Sequence, residues 1–272
     1  MKKIFILVAM VSACLAASAQ TTSEEFAAKY LRQVGMVGEA GVGVETIIDR
    51  WQEAFPDDLD AKVARVNYLI SKSKTTAMVP KPGRTRYLGN KPTLTLKDSL
   101  GVDVNYFEEA AFEEEYFSQA LTQLDEYMAA DPDEARFRCV KINTLREYEK
   151  EDLTLSEVEL NKLIDDRTKG LKFNGEPLPE EEVVGIIQEF LGSFYAVGSA
   201  SAYETFLRLS QKMNKLYPKK TDFIDNIGSY YLVAADNPKK AISYYKKALK
   251  INPEDVVALR NTKLANRKLQ KK

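Results

Sequence analysis

The chain has 272 residues, 44% of them apolar and 29% charged, enough to bury a sizeable core beneath a well-solvated surface. Its 39 Lys plus Arg balance 40 Asp plus Glu, so net charge gives no argument for nucleic acid or an anionic membrane. It contains no histidine, which removes the commonest general base, the commonest metal ligand and every Ser-His or Cys-His nucleophile arrangement.

Met1-Lys2-Lys3 followed by an apolar run from Ile4 to about Leu15, then Ala17-Ser18-Ala19, reads as a secretory signal spanning residues 1–19. A spanning helix needs about 20 apolar residues, and this run is shorter. The expectation is an exported, periplasmic protein. The alternative is a lipid anchor, because Val11-Ser12-Ala13-Cys14 resembles a lipobox, and only then would a membrane be a partner. Cleavage near Ala19 leaves Cys139 as the sole cysteine, so no intrachain disulfide forms. Cys139 shares an apolar helical face with Phe137, Val140 and Leu145 and reads as a core residue.

The fold proper is expected over residues 23–272. Ser23 is expected to cap a first helix, with Phe26, Tyr30 and Val34 on one face. Glycines 35, 38, 41 and 43 mark a loop; with no Gly-Lys-Ser/Thr ending and no preceding strand, they read as an inter-helix turn rather than a phosphate cradle. Val44, Ile48 and Trp51 then precede Pro56 at spacings of four, three and five. Leu59 to about Ser73 is the next helix. Residues 74–104, with Pro80, Pro82 and Pro92, three glycines and the alternating Thr93-Leu-Thr-Leu-Lys, are expected to form an extended excursion or hairpin, after which helix resumes near Tyr106. Ala120, Leu124, Tyr127 and Pro132 repeat the four, three and five spacing. Residues 135–149 and about 155–167 form a further helix pair. Gly170 to Pro179 is a second loop, and Glu180-Glu181-Glu182 opens a helix where its dipole favours negative charge.

The clearest pattern lies at 180–218 and 221–254. Leu191-Gly192-Ser-Phe-Tyr195 recurs as Ile227-Gly228-Ser-Tyr-Tyr231, 36 positions on, and Pro218 recurs as Pro253, 35 positions on. Within the second stretch Ala241, Tyr245, Ala248 and Pro253 again follow the four, three and five spacing. Small residues sit where helices approach closely, and proline stops the second helix. This stretch resembles a tetratricopeptide repeat, whose period is about 34 residues. Ile224 stands at the family's tryptophan position, and the turn at Asp236-Asn237-Pro238 is one residue longer than the family norm.

The resemblance implies an all-α, right-handed α-α superhelical solenoid of about five helix pairs, with one extended insertion and a capping helix over 255–270. Val257, Leu259, Leu264 and Leu269 of that cap are expected inside, and Arg260, Lys263, Arg267 and Lys268 outside. First-helix side chains of such proteins line a concave groove that binds a protein or peptide. Groove positions implied here are Asp222, Asp225, Ser229 and Leu232 in the last repeat, and Arg136, Asn143 and Arg146 in the third. Asp225 and Ser229 stand where carboxylate-holding members carry Lys and Asn, which argues against such a clamp in that repeat. The functional expectation is an exported, non-catalytic interaction scaffold without cofactor, metal or nucleic acid. The alternative is a small-molecule or glycan-binding module using residues 74–104 as a lid. The Asp165-Asp166 pair offers no dyad, because adjacent residues on a helix do not face one another.

Overall fold

A computed structural model describes residues 22–271. Among them, eleven helices account for most of the chain, with a few short strands. Helices α1 (Ser23–Val37), α2 (Val44–Ala54) and α3 (Leu59–Ser73) lead to an insertion. They are followed by α4 (Glu114–Ala130), α5 (Ala135–Glu149) and α6 (Thr154–Asp166). After a small hairpin come α7 (Glu180–Val197), α8 (Ala200–Leu216), α9 (Thr221–Val233), α10 (Pro238–Ile251) and α11 (Val256–Gln270). Each helix packs on its neighbours in sequence, and α9 also meets α11. The core therefore runs along the chain in linked clusters. Tyr30, Ile48 and Trp51 anchor one end, Leu160 to Phe223 fill the middle, and Tyr245 with Ala248 fill the other end.

The spacing of four, three and five is explained by burial: Val44, Ile48 and Trp51, and likewise Ala241, Tyr245 and Ala248, are the buried face of their helices. Helix starts are capped by side chains that accept from orphan backbone N–H groups, as Asp58 does from Ala61 and Asn237 from Lys240. At α1 the cap is Thr22, not the expected Ser23: Thr22 accepts from the Glu25 amide at 3.3 Å. The Ser23 hydroxyl is taken up elsewhere, accepting from Trp51 Nε1 at 2.8 Å and donating to Asp58, which ties α1 to α2 and α3.

The insertion is a three-stranded antiparallel sheet of β1 (Lys74–Pro80), β2 (Leu94–Lys97) and β3 (Asp103–Phe112), in the order β1-β3-β2. It runs past the expected boundary at 104, because residues 103–112 form the central strand and helix resumes only at Glu114. The reason is pairing on both sides: Lys74 to Pro80 pair with Phe112 back to Tyr106, and Leu94 to Lys97 pair with Tyr106 back to Asp103. The Glu113 amide donates to Ser73 O at 2.7 Å, so the excursion leaves and returns at one point and α3 still packs on α4. The second loop also holds a hairpin, β4 (Lys172–Phe173) and β5 (Glu176–Pro177), joined by Asn174 and Gly175 in left-handed conformation.

At the C-terminal end Arg260, Lys263 and Arg267 of α11 are exposed as expected and Lys268 is half-buried, but the apolar residues expected inside are not the buried ones. Ala258 and Ala265 are buried against the preceding helices, while Val257, Leu259 and Leu264 are exposed and Leu269 is half-buried. Alanines let helix axes approach more closely than leucines do, so the tightest face is the one with the smallest side chains.

Candidate functional site

Arg136, Cys139, Asn143 and Arg146 follow one another at three, four and three residues, which places them on one stripe of α5. Three cavities open along this stripe. The first, about 250 Å3, lies between α1, α2, α3 and Arg136. The second, about 350 Å3, is lined by Cys139 and Asn143, by Phe173 of β4 and by Ile186, Glu189 and Phe190 of α7. The third, about 280 Å3, lies where β3 and the Leu88–Asn90 turn overhang Arg146 and Lys150 and the end of α7.

The small hairpin is fixed to the start of α5 by Glu134. This buried carboxylate accepts from the amides of Arg136 at 3.0 Å, Asn174 at 3.2 Å and Gly175 at 2.8 Å. Arg136 Nη1 donates to Asp60 at 2.6 Å and to Asn174 at 2.7 Å, so this expected groove residue rivets α3 to α5 and the hairpin. Asn143, by contrast, is exposed, and its side-chain amide makes no hydrogen bond with any described residue.

The three-stranded sheet is docked as firmly. Glu109 of β3 accepts from the Tyr87 hydroxyl at 2.7 Å, pairs closely with Lys150, and lies 3.4 Å from Lys81. Burial opposes its ionisation, but the hydrogen bonds and charges of Lys150, Tyr87 and Lys81 hold its carboxyl below the usual range. Burial and the bond to Glu109 push the Tyr87 hydroxyl up. Lys74 pairs with Glu147 and Arg84 with Glu151. Gly89, at φ 81°, brings its backbone against α7; a Cβ there would stand 2.9 Å from Ala196 O.

The α9 residues do not form a comparable surface. Asp225 and Leu232 are buried, Ser229 is half-buried with its hydroxyl 3.3 Å from that of Tyr245, and only Asp222 is exposed. Sequence spacing placed them on the correct helix, but α10 and α11 cover that face. Burial first, then the charge of Asp255 and a hydrogen bond to it, push the Asp225 carboxyl up to about 8. Asp255 itself caps α11, accepting from the Ala258 amide at 3.0 Å; despite burial, that bond and those from Thr221 and Asp225 lower its carboxyl. The pair is part of the helix junction.

Several lining residues escaped the sequence reading: Asn90, Glu108, Glu109, Lys150 and Ser193. Those on the insertion become legible only once β3 is recognised as a strand. Burial pushes the Cys139 thiol up to about 12, which leaves it without thiolate character at neutral pH. No group of His, Cys, Asp and Glu among the described residues has the arrangement of a metal site. No protein-family model matches the chain, and no curated protein matches it. The export signal and Cys14 lie outside the described residues; within them, no helix is long and apolar enough to cross a membrane.

Proposed function

We propose that the chain is an exported, non-catalytic scaffold of the tetratricopeptide kind, a superhelix of five helix pairs and a cap. It binds a protein or peptide along the face shared by α1, α3, α5 and α7. The observation that carries this reading is the row of three cavities along α5, held open between two docked β elements. Asn143 stands at the middle cavity with its amide unengaged. A peptide side chain of moderate size fits the second cavity, where Phe173, Ile186 and Phe190 supply apolar contact and Asn143 and Glu189 supply polar direction. Supporting the architecture are the neighbour-on-neighbour packing and the close fit of Gly228 against Tyr245, where a Cβ would come within 2.6 Å of the ring. Arg136, engaged by Asp60 and Asn174, shapes the groove rather than contacting the partner.

The test is photocrosslinking in intact cells of the source, with a benzoylphenylalanine placed at Asn143 or at Lys246, which is exposed on α10. A discrete protein adduct from position 143, absent from position 246 and diminished when Phe190 is also replaced by Ala, is the expected outcome. Equal labelling from both positions, or none from 143, overturns the reading. Mass spectrometry of the mature N-terminus separates cleavage near Ala19 from lipidation at Cys14.

A further inference from the structure

We propose that the cavity beneath the three-stranded sheet is a binding site for a small organic monocarboxylate, received by Arg146. This goes beyond the groove reading and does not depend on it.

Three of the five charged side chains lining the cavity are already matched. Glu109 is engaged by Lys150, Lys81 and Tyr87, and Glu147 by Lys74. Lys150 is engaged by Glu109 in return. Of the two charged groups left unpaired, Glu108 is exposed to solvent, and Arg146 is different. It lines the cavity, its Nε is buried without a hydrogen-bond partner, and its guanidinium makes no ion pair with any described residue. A desolvated donor without an acceptor is costly, on the order of 1–3 kcal/mol, and more for a charged group. Arginine presents a planar fork of donors that matches a carboxylate through two parallel hydrogen bonds. The unmatched group therefore specifies both the sign and the shape of what fits it.

The remaining walls narrow the class. Leu88, Ala110, Ala196 and Val197 are apolar and suit a short hydrocarbon body. Glu108 and Glu109 also face the space, so a second negative charge, as on phosphate or a dicarboxylate, would meet repulsion. At about 280 Å3 the cavity lies near the lower limit for ligand pockets, which run from about 300 Å3 upward, so the ligand is a small molecule. The site is preformed, because the ion pairs of the sheet and the close approach of Gly89 to Ala196 fix its roof.

Calorimetric titration of the mature chain with butyrate, its neutral isostere butyramide and inorganic phosphate tests the assignment. Saturable binding of butyrate, without butyramide or phosphate, is expected. Arg146→Gln should lower the association constant about tenfold or more, as loss of a charge-assisted pair does. Arg146→Lys, which keeps the charge but not the fork, should fall between. Glu108→Gln should tighten butyrate by relieving repulsion. Thermal melts of each variant run alongside, and Arg146→Gln should melt no lower than the parent. No saturable butyrate binding overturns the proposal, as do equal binding of butyramide, a preference for phosphate, or an affinity indifferent to Arg146→Gln. A lowered melting temperature in Arg146→Gln would show instead that Arg146 is a structural cation.

Discussion

Two regions of this chain solve opposite problems. Around α9, α10 and α11 the helices are drawn together on small residues: Gly228 lies under the Tyr245 ring, and Ala241, Ala248, Ala258 and Ala265 are fully buried. Around α5 the helices still pack on their neighbours in sequence, but open spaces remain along one stripe. Two β elements are docked against α5 and pinned by Glu134 at one end and by Glu109 with Lys150 at the other, and cavities remain beside Arg136, Asn143 and Arg146. The region with the clearest sequence pattern is thus the more completely packed one. The region with the weaker pattern has open walls and unengaged polar groups. A strong repeat pattern reports close packing, and close packing leaves little room for a ligand.

The largest effect should come from disturbing the tight region. Gly228→Val places branched carbons where a single Cβ already falls 2.6 Å from the Tyr245 ring, and both partners belong to the core. It should cost about 1–3 kcal/mol, as overpacking does, read as a lowered urea midpoint with unchanged slope. A melting curve like that of the parent would mean that α9 and α10 are not in close contact. Asn143→Ala, on the open stripe, should change stability by less than about 0.5 kcal/mol.

The Asp225–Asp255 junction gives the next effect, and it depends on pH. The Asp225 carboxyl is raised from an ordinary 3.8 to about 8, so the folded chain holds a proton that the unfolded chain has released. Between roughly pH 4 and pH 8 stability therefore falls as pH rises; below that window both states are protonated and above it both are ionised. Asp225→Asn removes this liability. Its unfolding free energy should exceed the parent's at pH 8 by about 1–3 kcal/mol, read by urea titration, and the gap should shrink toward zero near pH 4. A pH-independent gap would show that Asp225 is ionised throughout.

Much of the helical framework was legible because helix burial repeats every three to four residues, and proline and glycine mark the ends. Val44, Ile48 and Trp51 announced their face in this way, and all three are buried. The sheet boundary was not legible. Residues 103–112 carry Phe107 and Glu109 toward the body, a ring and a carboxylate that no alternation of apolar and polar letters marks as one face. The small hairpin did leave a signal, Asn174-Gly175, whose left-handed turn is the usual one for two-residue connections. The inner face of α11 was not legible because alanine counts as weakly apolar in a pattern, yet Ala258 and Ala265 are what permits the helix to dock. The candidate site was half legible. Spacing placed Arg136, Asn143 and Arg146 on one stripe, but their separate roles follow from Asp60, Asn174 and Glu109, which are distant in sequence.

A smaller effect is expected at the roof of the third cavity. Gly89→Ala asks an L-residue to hold φ 81° with its Cβ 2.9 Å from Ala196 O. The cost should be about 1–2 kcal/mol, spent locally by lifting the Leu88–Asn90 turn rather than by global unfolding. Faster amide exchange at Tyr87 and Asn90, whose backbones bond each other, would report it, with little change in the global melt. Unaltered exchange there would mean that the turn is not pressed against α7.

The smallest effect separates two glycines that look alike in sequence. Gly192 occupies the same place in Leu191-Gly192-Ser193 as Gly228 does in Ile227-Gly228-Ser229, yet a Cβ at Gly192 would meet nothing within 4 Å. It lies in the interior of α7, where glycine is less favourable than alanine by about 0.5–1 kcal/mol. Gly192→Ala should therefore stabilise the chain by up to about that amount, whereas Gly228→Ala should destabilise it. Opposite signs at the two positions would show that the shared motif marks a close helix contact in only one of its two occurrences. Destabilisation at both would mean that the contact beside Gly192 is as tight as the one beside Gly228, and stabilisation at both that Gly228 is not pressed against Tyr245.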